Sequence, residues 1–314
     1  MQHRVLGTSG LSFAPIVLGG NVFGWTTDEA TSLSLISAFV ERGFSCIDTA
    51  DVYSTWVAGH RGGESEQTIG QWLRQGGARD KIIIATKVGM PMPDGKGLSK
   101  SHILASVEGS LKRLGTDYID LYQAHIDDPT TPLEESCEAF AQLIASGKVR
   151  AIGASNFIAP RLAEALGNAR EKGLPGFASL QPNYSLVTRS LYEGELQQFC
   201  IKENIGVIPY YALAAGFLTG KYRHASNIEG HARADTIARF FDPRGLDILS
   251  VTDKIAARLQ ASVAQIALAW VLAQPGITAP IVSATSLPQL DEILGAAEIT
   301  LDADALNRLD SASA

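Results

Sequence analysis

The sequence predicts an α/β protein: a (β/α)8 TIM barrel with an N-terminal β-hairpin and a long loop before the last helices. Two observations carry this. Short apolar runs alternate with amphipathic helical patterns from one end of the chain to the other, an order that gives right-handed crossovers and a parallel sheet. The alternation occurs eight times, which favours closure into a barrel over an open sheet. The 314 residues exceed the ~250 typical of one such barrel. No Ser/Pro-rich linker divides them, so residues 1–314 read as a single domain.

Taken in order, the expected strands are Ile16–Gly19, Ser45–Asp48, Ile82–Thr86, Ile119–Ala124, Val149–Ala154, Ala178–Gln181, Val207–Pro209 and Pro280–Val282. Most are β-branched, apolar on both faces and bounded by Gly, Pro or polar residues, as buried parallel strands should be. The helical patterns between and after them cover Asp28–Arg42, Ser65–Arg74, Lys100–Leu114, Pro132–Ser146, Pro160–Lys172, Arg189–Glu203, Ser262–Ala273 and Leu287–Ala296. Outside the repeat, Arg4–Phe13 with its central Gly-Thr-Ser-Gly reads as a hairpin over the barrel's bottom. Thr219–Leu246 reads as a long polar loop with Tyr222, Arg223, Arg233, Arg239, Phe240 and Phe241. Loops of that length in compact domains are functional lids or disordered segments.

Hydrophobic residues make up 46% and charged residues 19% of the chain, an ordinary globular mixture. The net charge of −7 argues against non-specific binding to nucleic acid or an anionic membrane, which needs a local excess of Lys and Arg. MQHRVLGTSG has no long apolar run, and no segment reaches ~18 uninterrupted apolar residues; the expected location is cytoplasmic. Cys46, Cys137 and Cys200 lie far apart and form no CxxC or Cys/His cluster, so they read as reduced packing residues rather than disulfides or zinc ligands.

Active sites on such barrels lie at the C-terminal ends of the strands. Asp48 closes the second strand and Tyr53 follows in Asp48-Thr-Ala-Asp-Val-Tyr53. Lys87 sits just past the third strand, and His125 ends the fourth. Singly each has a plain alternative: a strand-end Asp caps a turn, and a lone His is a satisfied structural residue. Four such groups on one rim outweigh that reading. Their spacing gives no metal-ligand pattern.

These residues resemble the Asp/Tyr/Lys/His tetrad of the aldo-keto reductases. The resemblance runs from Leu18-Gly19-Gly20 to the last helix, through Gly63-Glu64-Ser65-Glu66, Gly153-Ala-Ser155-Asn156-Phe157, Gln181-Pro-Asn-Tyr184 and Pro209-Tyr210-Tyr211-Ala-Leu213. It implies reduction of a small carbonyl, or oxidation of the alcohol, by hydride exchange with NADPH, or alternatively NADH. Tyr53 would be the general acid, and Lys87 would lower its pKa. Asp48 would orient Lys87, and His125 would point an N–H at the substrate oxygen. Ser155, Asn156 and Gln181 would hold the nicotinamide carboxamide and Tyr210 would stack on the ring. Tyr211 and Leu213 would follow the pyrophosphate, and Gly19, Gly20 and Asn21 would line the ribose. A plain helix N-cap remains the alternative for Ser155-Asn156.

Where relatives carry a basic Gly-x-Arg stretch for the adenosine 2′-phosphate, this chain reads Ser283-Ala-Thr285-Ser286, then Gln289 and Glu292-Ile293. Ser283, Thr285 and Ser286 can still donate to a phosphate beside a helix N-terminus, and Arg223, Arg233 or Arg239 can supply the missing cation. Trp25, Trp56, Val57, Ile126 and Phe240 or Phe241 are expected around Tyr53. An aromatic wall there would favour a moderately apolar carbonyl, although such residues equally suit ordinary loop packing. Two rival readings use the same residues: a lyase with a Schiff base on Lys87, and a non-catalytic, cofactor-sensing regulatory subunit.

Overall fold

The computed structural model describes residues 2–314. Strands β1 (Arg4–Val5) and β2 (Ser12–Phe13) pair antiparallel as the expected hairpin. Eight parallel strands follow: β3 (Val17–Gly19), β4 (Cys46–Asp48), β5 (Ile83–Val88), β6 (Ile119–Ala124), β7 (Val149–Ser155), β8 (Ser179–Gln181), β9 (Gly206–Val207) and β10 (Ile281–Val282). Their order is β10-β3-β4-β5-β6-β7-β8-β9. The two ends meet: Thr278 N donates to Val207 O and Ile281 N to Pro209 O, each at 2.8 Å. The sheet closes on itself, which satisfies the edge groups an open sheet would leave bare.

Around it lie α1 (Glu29–Glu41), α2 (Glu64–Arg74), α3 (Lys100–Leu114), α4 (Leu133–Ala145), α5 (Ala159–Glu171), α6 (Glu195–Lys202), α7 (Ala234–Ala238), α8 (Pro243–Leu259), α9 (Val263–Ala273), α10 (Leu287–Leu294) and α11 (Ala303–Ser313). Four differ from expectation: α6 is shorter, and α7, α8 and α11 were not expected. The helix expected from Arg189 begins only at Glu195, because Gly194 has φ 91° and ψ −127°, a conformation no helix contains. The loop expected over Thr219–Leu246 instead carries α7 and the start of α8; the Asp242 carboxylate accepts from Gly245 N at 2.6 Å, with Pro243 in the first turn. Helix α11 starts the same way, Asp302 accepting from Ala305 N at 2.8 Å. Among the described residues, no single helix is long and apolar enough to cross a membrane.

Alternation along the strands positions the site, since every second side chain faces the barrel axis. At the bottom, Val17, Cys46, Ala85, Leu121, Ala151 and Ile281 pack inward as one apolar cluster. Two residues further on, the same faces carry Gly19, Asp48, Lys87, Gln123, Gly153 and Ser283. The interior therefore turns from apolar to polar at one level. The alternate residues Leu18, Ile47, Ile84, Tyr122 and Ile152 point out into the shell of helices.

The hairpin closes the bottom. Leu6, Leu11 and Phe13 join the inner apolar cluster. Gly7 makes this fit possible: its φ is +51°, and a Cβ there would stand 2.3 Å from Ala178 O and 2.4 Å from Gly206 N. With the lower end plugged, the barrel opens only at the strands' C-terminal ends.

Candidate active site

Asp48, Lys87 and Tyr53 form one hydrogen-bonded chain. Lys87 Nζ donates to Asp48 Oδ2 at 2.6 Å, to Thr49 O at 2.8 Å and to Tyr53 OH at 3.0 Å. All three ammonium protons are engaged, and the lysine is fully buried. Lys87 lies inside β5 rather than just past it, so the sheet itself fixes its backbone. Burial works against the ammonium, but Asp48 and Tyr53 outweigh it and hold the Lys87 pKa above the ordinary lysine value.

The expectation for Tyr53 is corrected in part. Burial raises its pKa, Lys87 lowers it, and Asp48 raises it again; the net direction is upward. At neutral pH Tyr53 is therefore a protonated phenol. His125 moves the other way: burial, then the Lys87 charge, push it well below the ordinary histidine value. It is a neutral imidazole, with its ring 5.9 Å from that of Tyr53, and its Nδ1 is buried with no protein partner.

A glutamine layer completes the support. Gln181 Nε2 donates to Asp48 Oδ1 at 2.8 Å and lies 3.3 Å from Gln123 Oε1; Gln123 Nε2 lies 3.4 Å from Asp48 Oδ1. Gln123 was not singled out in the sequence, though its place two residues before His125 put it on the inward face. Asp48 is thus bound on both oxygens and caps no turn.

Ser155 and Asn156 are not a helix cap either. Helix α5 is preceded by Ile158, with no side-chain cap. Ser155 Oγ donates to Gln181 O at 2.9 Å, and Asn156 Nδ2 donates to His125 O at 3.0 Å. Tyr210 OH donates to Asn156 Oδ1 at 2.8 Å. These side chains, with Tyr53, His125 and Asp48, line one cleft of about 1130 Å³ that also takes in Gly19, Asn21, Tyr211, Leu213, Ser283, Thr285, Gln289 and Glu292.

Trp25 and Trp56 reach the cleft; Trp56 stands beside Tyr53, ring centroids 5.8 Å apart, and Trp25 stands behind it at 5.6 Å from Trp56. Other expected residues do not line it. Ile126 follows the inward His125 and so points away, 40% exposed. Gly20 starts a short 3-10 turn beneath the cleft, its carbonyl taken by Ser65 Oγ at 2.7 Å. Val57 stays outside, and Phe240 and Phe241 pack on Phe217 at 5.6 and 5.3 Å. Of the three loop arginines, Arg223 is committed to Asp253 through bonds of 2.6 and 2.9 Å, Arg239 lies over Phe240, and only Arg233 lines the cleft.

Behind the tetrad, Asp51 is a buried carboxylate whose Oδ1 has no partner. Burial and then the nearby Glu66 raise its pKa to about 8, against the opposing pull of Arg113, Val52 N–H and Lys87. Between the ordinary carboxylate value and about 8, the folded state holds a proton that the unfolded state has lost. Stability therefore falls as pH rises through that window, by up to ~1.4 kcal/mol per unit. Asp51→Asn should flatten the slope; urea melts at pH 6 and 8 measure it, and an unchanged slope would contradict the assignment.

A closed barrel thus carries at its open end a hydrogen-bonded Tyr53-Lys87-Asp48 chain with a neutral histidine beside it. The chain belongs to the aldo/keto reductase family, which it matches over residues 15–314. It is 37% identical to the uncharacterized oxidoreductase YrpG of Bacillus subtilis, over 99% of this chain and 95% of that one. It is 31% identical to the L-glyceraldehyde 3-phosphate reductase of Escherichia coli strain K12, over 93% and 86%. It is 32% identical to a probable voltage-gated potassium channel subunit beta of Arabidopsis thaliana, over 95% and 92%. The family uses nicotinamide cofactors on small carbonyl compounds.

Proposed function

We propose that this chain reduces an aldehyde or ketone to the alcohol with NADPH, Tyr53 acting as general acid, and that the same groups serve the reverse oxidation. The observation that carries the reading is the Asp48–Lys87–Tyr53 chain, ending at the cleft wall beside His125.

The cleft suits a dinucleotide. At Gly19 a Cβ would stand 2.6 Å from Ser283 Oγ, so only glycine leaves that wall open. Ala214, Ala215 and Gly216 all hold positive φ after Leu213, a run of the kind that turns backbone N–H groups toward an anion. Gln181 spends its amide hydrogens on Asp48 and Gln123, leaving Oε1 able to accept from a carboxamide. Ser155 and Asn156 stand next to it, and Tyr210 offers a ring face. When bound, the nicotinamide supplies the hydride.

The residues supply the rest. His125 and Tyr53 direct N–H and O–H groups at the carbonyl oxygen, where negative charge gathers as hydride reaches the carbon. The Tyr53 proton passes to that oxygen, leaving the alcohol and a phenolate that Lys87 stabilises from 3.0 Å. A raised Tyr53 pKa favours the donor form, so reduction runs at neutral pH, whereas alcohol oxidation needs the phenolate and gains as pH rises. A Schiff base on Lys87 is disfavoured, since its ammonium is fully bonded and held protonated.

Cofactor choice turns on Thr285, whose N–H and hydroxyl both lie within 3.0 Å of Gln289 Oε1. Titrating the protein with NADPH and NADH while following tryptophan emission tests the proposal, because Trp25 and Trp56 line the cleft. NADPH should quench at lower concentration than NADH. Thr285→Arg should widen the gap by about tenfold, the scale of one charge-assisted contact. If neither cofactor alters the emission or is itself perturbed, the reading fails.

A further inference from the structure

We propose that Glu64 is a positioning residue: its carboxylate clasps the neck of the loop that starts at Tyr53 and so keeps the phenol on Lys87. This rests on the reductase reading above and gives the Gly63-Glu64-Ser65-Glu66 motif a part in it.

The chain leaves Tyr53 through Ser54 and returns beside it at Gly63, whose N–H donates to Tyr53 O at 2.8 Å. Within the loop the backbone bonds are short-range, Thr55 N to Val52 O and Val57 N to Ser54 O, both at 3.0 Å. Trp56, on its outer part, is 48% exposed. A loop of this kind keeps one geometry only if something ties its ends. Glu64 does so. Its Oε1 accepts from Arg61 N at 2.8 Å and its Oε2 from Gly62 N at 3.0 Å. The N–H of Ser54, the residue after Tyr53, faces the same carboxylate. The outgoing and returning strands of the loop therefore meet on one side chain. Gly62, with φ +99°, lets the returning strand come this close: a Cβ there would stand 2.8 Å from Asp51 O.

Helix stabilisation alone does not account for this. Glu64 is the first residue of α2, where a carboxylate favours the helix dipole. Its oxygens, however, take the N–H groups of Arg61 and Gly62, which precede the helix. Burial raises the Glu64 pKa, but the N–H groups of Arg61, Glu64 and Ser54, with His60, outweigh it and hold it below the ordinary glutamate value. The next two residues brace the same frame. Ser65 Oγ accepts from Thr49 Oγ1 at 2.8 Å, and Thr49 O is one of the three acceptors of Lys87. Glu66 accepts from Thr86 Oγ1 and Arg113 Nε, each at 2.6 Å. The first turn of α2 thus fixes the backbone on both sides of the Lys87–Tyr53 bond.

The test is a double-mutant cycle on single-turnover reduction of 4-carboxybenzaldehyde by the full-length protein at saturating NADPH. Glu64→Ala should slow reduction at least ~10-fold, within the range that a misplacement of about 1 Å costs. The NADPH dissociation constant should stay near that of the wild type. In the Tyr53→Phe background the same substitution should add little, because groups that act as a unit are not additive. Glu64→Gln keeps one acceptor and should fall between the wild type and Glu64→Ala; it decides the cycle if the alanine variant does not fold. An unchanged rate in Glu64→Ala overturns the proposal. So does an equal loss in both backgrounds, for then Glu64 serves the fold and not Tyr53. If the wild type binds NADPH yet reduces no aldehyde, the reductase reading falls and this inference with it.

Discussion

Replacing Tyr53 by phenylalanine is expected to lower carbonyl reduction by a factor of ~10² or more, the scale of a lost general acid. The substitution removes one oxygen and leaves the ring, so packing against Trp56 and His125 survives. Lys87 keeps Asp48 and Thr49 O, so the buried ion pair survives too. The cofactor dissociation constant should stay close to that of the wild type. Stopped-flow comparison of the two proteins at saturating NADPH measures the effect. Near-normal turnover by the phenylalanine variant would place the proton donor elsewhere, with His125 the next group on the cleft wall.

The second large effect falls on stability as well as activity. Lys87→Met leaves the Asp48 carboxylate buried without its cation, and one-sided removal of a buried pair costs ~3–5 kcal/mol. The glutamines soften this cost, because Gln181 Nε2 still reaches Asp48 Oδ1 at 2.8 Å. The double variant Lys87→Met/Asp48→Asn should recover most of the lost stability, since no charge is then buried alone. It should not recover turnover, because Tyr53 has still lost the ammonium that stabilises its phenolate. Chemical denaturation and kinetics on the three proteins separate these contributions. Equal stability of the single and double variants would contradict the assignment of the loss to an unpaired buried charge.

How much of this was legible in the sequence follows from how local each signal is. The barrel strands are period-two or doubly buried runs, and six of the eight begin or end within one residue of the expected bounds at both ends. Lys100–Leu114 emerged unchanged, because Ser99 caps one end and Gly115 in the left-handed region closes the other. Helix α6 was misjudged because a single glycine, Gly194, overrode a pattern that otherwise continued backward. Helix α8 was hidden inside an apparent loop, although Asp242-Pro243 is a start signal.

The site shows the same division. The positions of Asp48, Lys87 and His125 follow from strand alternation and are readable residue by residue. What alternation does not convey is how environments compete. That Lys87 lowers the Tyr53 pKa is a pairwise inference; that burial outweighs it depends on the assembled cleft. The exclusion of Ile126 follows from its neighbour's inward direction, but its apolar character suggested the opposite. Arg223, Arg233 and Arg239 were indistinguishable as letters. Only the folded segment shows Arg223 tied to Asp253 and Arg233 on the cleft wall over Trp25.

The central claim is that this cleft moves a hydride between a nicotinamide and a carbonyl carbon while Tyr53 moves the proton. It is tested most directly by one measurement: reduction of 4-carboxybenzaldehyde with NADPH deuterated at nicotinamide C4, on the transferring face, followed by mass spectrometry of the alcohol. The account predicts one deuterium on the carbinol carbon, formed by the wild type and greatly slowed in Tyr53→Phe. An alcohol without deuterium from either C4 face, or one formed equally fast by both proteins, would contradict it.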